Sequence, residues 1–388
     1  MHKHHWRFIE FLLPIGALLA PFPRYTRAMS PVAFGDVFQI QALDQSDSSS
    51  TPESELQHGI ALTQRGRFSD AIPHLLAARG HVSDEYAANF DLALCYVSTA
   101  QFDEAIRILG PMKITGYATA GVNNLLAQAY IGKGQDKEAF SAFQQAVMQT
   151  PLDEKLYLLV SEACMDHQSY DLGLEVLNIG LQHLPNSSRL HYERGVFFSF
   201  ENEPDSAAFD FGLASKLGAG TDISYMASGQ KALMEGDPSE AVRITREGIR
   251  KGHNNYILLA IFGNAVVHSG ASPDQPEFRE AEAALVKSVA ERPNYSVSQA
   301  ALGELYLMEG RTDEAISSLQ AARNLTPQDA SIYSHLAVAY RRNGNLQEAQ
   351  RTLTILATLN QKQAAKYKSD SPSHKAGYVS SGRPPQQP

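Results

Sequence analysis

Cysteine, tryptophan, basic charge and long apolar runs are all scarce in this chain, and each scarcity removes a class of answer. The 388 residues include two cysteines and one tryptophan. Cys95 and Cys164 are too few to indicate an oxidising or a reducing compartment. Lys and Arg number 33 against 42 Asp and Glu, a net charge of −9. Nucleic acid and anionic membrane both need a basic footprint, so an acidic chain argues against either as the main partner. The longest apolar stretch, Phe8 to Phe22, is 15 residues and is interrupted by Glu10. That is short of the roughly 20 residues a spanning helix requires, so the mature chain is expected to have no membrane span.

The signatures of catalysis are missing as well. The sequence has no His-x-x-x-His pair, no Cys-x-x-Cys pair and no Gly-x-Ser-x-Gly elbow. Gly132-Lys133-Gly134 is the nearest approach to a phosphate loop, but it lacks a third glycine and a preceding strand. The 13 histidines are scattered. No catalytic, cofactor-binding or metal-ligating residue is assigned, and the expectation is a protein that is not an enzyme.

What the chain has in abundance is repetition. Ala71, Ala105, Ala139, Gly173, Ala207 and Ala241 follow one another at a spacing of 34, and Ala281, Ala315 and Ala349 resume it after one step of 40. Twelve residues before these stand Gly59, Ala93, Ala127, Ser161, Gly195, Gly229, Gly303 and Ala337. In the long repeat Gly263 precedes Ala281 by 18, so six residues enter between its two helices. A period of this size describes a stacked array in which each unit buries its apolar face on its neighbours.

Within a unit the apolar spacing is helical. In Val122–Pro151, Leu126, Ala127 and Tyr130 line one face of a first helix, and Ala139, Phe143 and Ala146 line a second. Gly132 and Gly134 separate the two helices, and Pro151 ends the second. Small residues at the crossing let two antiparallel backbones approach, and the large ones fill the space beside it. This pattern resembles the tetratricopeptide repeat, with its Leu-Gly-x-x-Tyr followed by Ala, Phe, Ala and Pro. The resemblance covers residues 52 to about 357, in units beginning at Pro52, Tyr86, Ala120, Glu154, Ser188, Asp222, Tyr256, Ser296 and Ala330. It implies an all-α, right-handed α-solenoid of about nine helix-turn-helix repeats. The fourth unit departs from the pattern at Cys164 and Gly173, the sixth at Ala232 and Thr245. Because the two cysteines lie two repeats apart, they are beyond disulfide reach and are expected as buried thiols.

The ends of the chain differ from the array. Residues 1–28 combine a polar start, the apolar stretch and Thr26-Arg27-Ala28, which reads as a secretory signal peptide. Residues 29–51 read as a flexible spacer, 52–368 as the solenoid with a capping extension from Thr358 to Lys368, and 369–388 as a disordered tail. The chain is therefore expected to be exported, periplasmic or secreted. The alternatives are a cytoplasmic protein or one anchored at its N-terminus.

The family resemblance also implies a binding surface, since first-helix positions 2, 5, 9, 12 and 13 point into the concave groove of such arrays. Carried over, they give Phe90 and Leu94 in repeat two, Asn124 and Gln128 in three, and Leu158 and Glu162 in four. Tyr192 and Phe200 follow in repeat five, then Met226, Leu233 and Met234 in six. Aromatic, methionine and carboxamide side chains suit an adaptable peptide-binding wall. The expected function is a non-catalytic protein-interaction scaffold that takes a protein or peptide segment in this groove. An assembly factor or accessory subunit of an envelope enzyme complex, and a cytoplasmic adaptor, remain open.

Overall fold

The computed structural model describes residues 51–370, and among these every regular element is an α-helix. They form two compact units. The first, residues 51–185, contains α1 (Pro52–Gln64), α2 (Phe68–Ala78), α3 (Glu85–Ser98), α4 (Phe102–Ile114), α5 (Ala120–Gly132), α6 (Asp136–Gln149), α7 (Glu154–Asp166) and α8 (Tyr170–His183). The second, residues 186–370, begins with α9 (Ser188–Phe200), α10 (Pro204–Leu217), α11 (Asp222–Met234), α12 (Pro238–Arg250) and α13 (Tyr256–His268). It continues with α14 (Pro276–Glu291), α15 (Ser296–Glu309), α16 (Thr312–Leu325), α17 (Ala330–Arg342) and α18 (Leu346–Asp370). The nine helix pairs are the nine repeats read from the spacing. The leader, residues 29–50 of the spacer and the tail beyond Asp370 lie outside the described residues.

Local chemistry sets where the helices start and stop. Thr51, Asp84, Thr119, Asp153, Ser187, Asn255 and Asp329 each cap a first helix by accepting a hydrogen bond from a backbone N–H in its first turn. Pro151, Pro185, Pro293 and Pro327 each stand two residues beyond the end of a second helix, where they block its continuation. Tyr157 and Tyr333 then donate from their hydroxyls to the carbonyls of Pro151 and Pro327, at 2.7 and 2.9 Å.

Packing explains the spacing of 12. A Cβ added at Gly59 would lie 2.6 Å from Leu75 Cγ, one at Gly303 2.6 Å from Leu319 Cγ, and one at Gly195 2.9 Å from the Phe211 ring. The small residue therefore makes room for a large side chain sixteen positions on as well as for close backbones: the same Cβ atoms would approach the carbonyls of Ala207 and Ala315 at 3.3 Å. The weak sixth repeat follows the same rule. Thr245 is fully buried at the place of the usual Leu or Phe, and its hydroxyl is satisfied by donating to Ala241 O at 2.6 Å.

Contacts run between neighbours only, as a stacked array requires. In the first unit each first helix packs on its own second helix, and α1, α3 and α5 pack also on the next first helix, as α3 does on α5 and α5 on α7. The second unit repeats this: α9 packs on α10 and α11, α11 on α12 and α13, α13 on α14 and α15. The six additional residues lengthen the turn between α13 and α14 and the start of α14 itself.

Candidate functional site

In the first unit five of the six predicted groove residues, Phe90, Leu94, Gln128, Leu158 and Glu162, are half-buried. They come from successive first helices, α3, α5 and α7, which pack on one another. The Phe90 ring stacks on Tyr86 with centroids 5.7 Å apart and lies over the start of α5, where a Cβ at Gly121 would come within 3.3 Å of it. Asn124, the sixth, is buried and its carboxamide is already used. It donates from Nδ2 to Leu156 O at 3.0 Å and accepts from Gln128 Nε2 at 2.6 Å. Asn124 thus ties α5 to α7, and Gln128 is the amide left at the surface. Beside Phe90, burial, with Asp84 adding to it, raises the Asp91 carboxyl to about 6. It is still mostly ionised at neutral pH, so the neighbourhood of this strip is acidic.

The second unit corrects the expectation of a solvated apolar wall. Tyr192, Met226 and Leu233 are at most 1% exposed, and Met234 is 8% exposed. Tyr192 packs on Phe211 with ring centroids 5.6 Å apart, and burial holds its phenol well above the usual range. Met234 Sδ accepts from Ser199 Oγ at 3.6 Å. The reason is the close approach of α9, α11 and α13, which places these first-helix positions between consecutive helices. Of the second unit's predicted residues, Phe200 alone is half-buried.

Both cysteines are buried and free. Burial pushes the Cys95 thiol up to about 11 and Cys164 higher still, so neither is a nucleophile at neutral pH. Among the described residues no cluster of His, Cys, Asp and Glu has the form of a metal site, and no helix is long and apolar enough to cross a membrane.

One polar cluster escaped the reading of the sequence. In repeat five the buried Asp210 accepts from Arg194 Nε at 2.7 Å and Nη2 at 2.9 Å, and bonds His191 Nδ1 at 2.8 Å. His191, Arg194 and Asp210 occupy positions 4, 7 and 23 of their unit; in repeat four the same positions carry Tyr157, Val160 and Val176. Repeat one is polar at these positions too, with Glu55 Oε2 2.5 Å from His74 Nδ1 and His58 stacked on His74 at 4.3 Å. The available signal was a comparison of like positions across repeats, not a local motif.

Family comparison agrees with this architecture. Two models described as tetratricopeptide repeat match the chain, one over residues 62–129, 274–334 and 306–369, the other over 120–151. The chain is built of tetratricopeptide repeats. No curated protein matches it. Among solved structures, the APC/C hetero-tetramer Cut9–Hcn1 is similar over 84% of this chain and 62% of its own, at 15% identity and a TM-score of 0.48. The chain thus spans less than two thirds of that relative. A tetratricopeptide repeat protein from Parabacteroides merdae is similar over 66% of this chain and 98% of its own, at 14% identity and a TM-score of 0.45. MamA from MSR-1 covers 43% of this chain at 17% identity and a TM-score of 0.33. None of these likenesses bears on function.

Proposed function

We propose that the protein is a non-catalytic interaction scaffold whose first unit binds a segment of a partner protein on the strip formed by Phe90, Leu94, Gln128, Leu158 and Glu162. The observation that carries this reading is the contrast in burial. These residues stay half-exposed on consecutive tetratricopeptide first helices, while the residues at the same positions in repeats five and six, Tyr192, Val196, Met226 and Gln230, are core. Apolar groups left at a surface gain from a partner that covers them. The acidic surroundings, Asp91 and Glu162 within a chain of net charge −9, favour a segment that is apolar and basic. Read with the leader, the scaffold works outside the cytoplasm.

The test uses protein recovered with its partners from the native host. A chain carrying Leu94→Asp and Leu158→Asp is expected to keep its helical circular dichroism and lose partners that the parent retains. If the pair lowers the melting temperature, Leu158→Gln with Gln128→Lys is the milder form. Retention of every partner by a folded variant rejects the strip as the binding surface. Sequencing the N-terminus of the same material tests export: a chain beginning near Met29 supports it, and an intact Met1 removes it.

A further inference from the structure

The packing of repeat five opens a pocket that the strip on the first unit does not involve. It has a volume of about 430 Å³ and is lined by Arg194, Phe198, Asp205, Ser206, Phe209 and Asp210, all from α9 and α10. Its aromatic wall is unusual for this array. Phe209 stands at position 22 of its unit, where the two flanking repeats carry Glu175 and Arg243, and it is 66% exposed. An aromatic ring at a position that is charged in both flanking repeats stands on a helix whose core face is already filled by Ala207, Phe211 and Ala214, so the core does not account for it.

Charge decides what the pocket would accept. Arg194 is neutralised by its two hydrogen bonds to Asp210, and its guanidinium already lies over the Phe198 ring at 5.7 Å. That leaves the exposed Asp205 as the lining charge not offset within the pocket, and Ser206 Oγ is turned to Glu203 Oε2 at 3.1 Å. Carboxylates and aromatic faces with no spare cation form a site for a positive group. We infer that this pocket receives a lysine or arginine side chain from a partner protein, held between the face of Phe209 and the carboxylate of Asp205. The arrangement of Arg194 over Phe198, beside Asp210, is the same combination made internally.

The probe is a synthetic peptide in which arginine alternates with glycine and serine, with a second peptide carrying neutral citrulline in place of arginine. The full chain, labelled with ¹³C in its phenylalanine rings, is titrated by NMR, and Phe209→Leu assigns the Phe209 signals. The arginine peptide is expected to shift the Phe209 ring signals, and the citrulline peptide to leave them in place. Asp205→Asn should weaken the interaction about two- to fivefold, the range for one exposed ion pair. Asp171→Asn, an exposed carboxylate at the like position of repeat four beside no such ring, should not. Both acidic variants are surface changes, and circular dichroism checks that each stays folded. Equal weakening by the two variants, or a titration in which Phe209 does not respond, would overturn the proposal in favour of diffuse attraction to an acidic chain. Leu94→Asp with Leu158→Asp should leave the titration unchanged, so failure of the first-unit strip and failure of this pocket are separate results.

Discussion

The tightest constraint at the scale of a residue is the turn inside each repeat. Position 15 takes a positive φ in all nine units, and six of them place glycine there, as Gly134 does at +68°. Ala100, Gln168 and Asn202 adopt the same conformation at +58°, +60° and +59°. An L side chain in the left-handed region costs about 1–2 kcal/mol, offset in part by the greater freedom glycine has when unfolded. Gln168→Gly and Ala100→Gly are therefore expected to stabilise the protein by about 0.5–1 kcal/mol each. Asn202→Gly should do less, since asparagine tolerates this region. Urea midpoints of the three variants check the order, and an unchanged midpoint for Gln168→Gly would remove the strain argument.

At the scale of an element, α9 and α10 are joined differently from their neighbours. The preceding pair carries Tyr157, Val160 and Val176 at the like positions; here a carboxylate with 1% of its side chain exposed is held by a guanidinium with 19% exposed. Removing one partner of a buried pair leaves an uncompensated charge and costs about 3–5 kcal/mol, while replacing both by apolar groups is often close to neutral. Arg194→Met alone is expected to fall near the lower end of that range, because its guanidinium is partly wet. Arg194→Met with Asp210→Leu should recover most of the loss. Melting curves of the two proteins decide it: a double variant no better than the single one means the pair is not the unit that matters. Legibility in the sequence divides along the same line. The helix pairs could be read because Ala and Gly at a spacing of 12 are forced by a side chain sixteen residues on, and six position-15 glycines mark the turns. The seam of repeat five could not be read from its own sequence, since His191, Arg194 and Asp210 are 16 and 19 residues apart and meet only once the helices pair. The buried fate of Tyr192, Met226 and Leu233 was hidden for a related reason. Family register gives the direction of a side chain but not how closely the next first helix approaches.

Across the whole molecule, an array that packs only between neighbours should have a stability that is roughly a sum of repeat and interface contributions. The described chain divides between Pro185 and Asn186, at the turn that separates α8 from α9. Within each unit every second helix but the last lies against the first helix of the next pair, so each carries a continuous apolar core of its own. Stacks of three or more repeats can bury such a core without help, and the units have four and five. Residues 51–185 and 186–370 produced as separate chains are therefore expected to fold, each with helical circular dichroism and a cooperative urea transition. The second should be the more stable, because it has one interface more and ends in the long α18, whose Leu359–Lys362 stretch is largely solvated in the way a terminal face requires. A piece 186–370 that remains unfolded at low temperature would show that its core is completed by residues outside it, and the division at Pro185 would then have no energetic meaning.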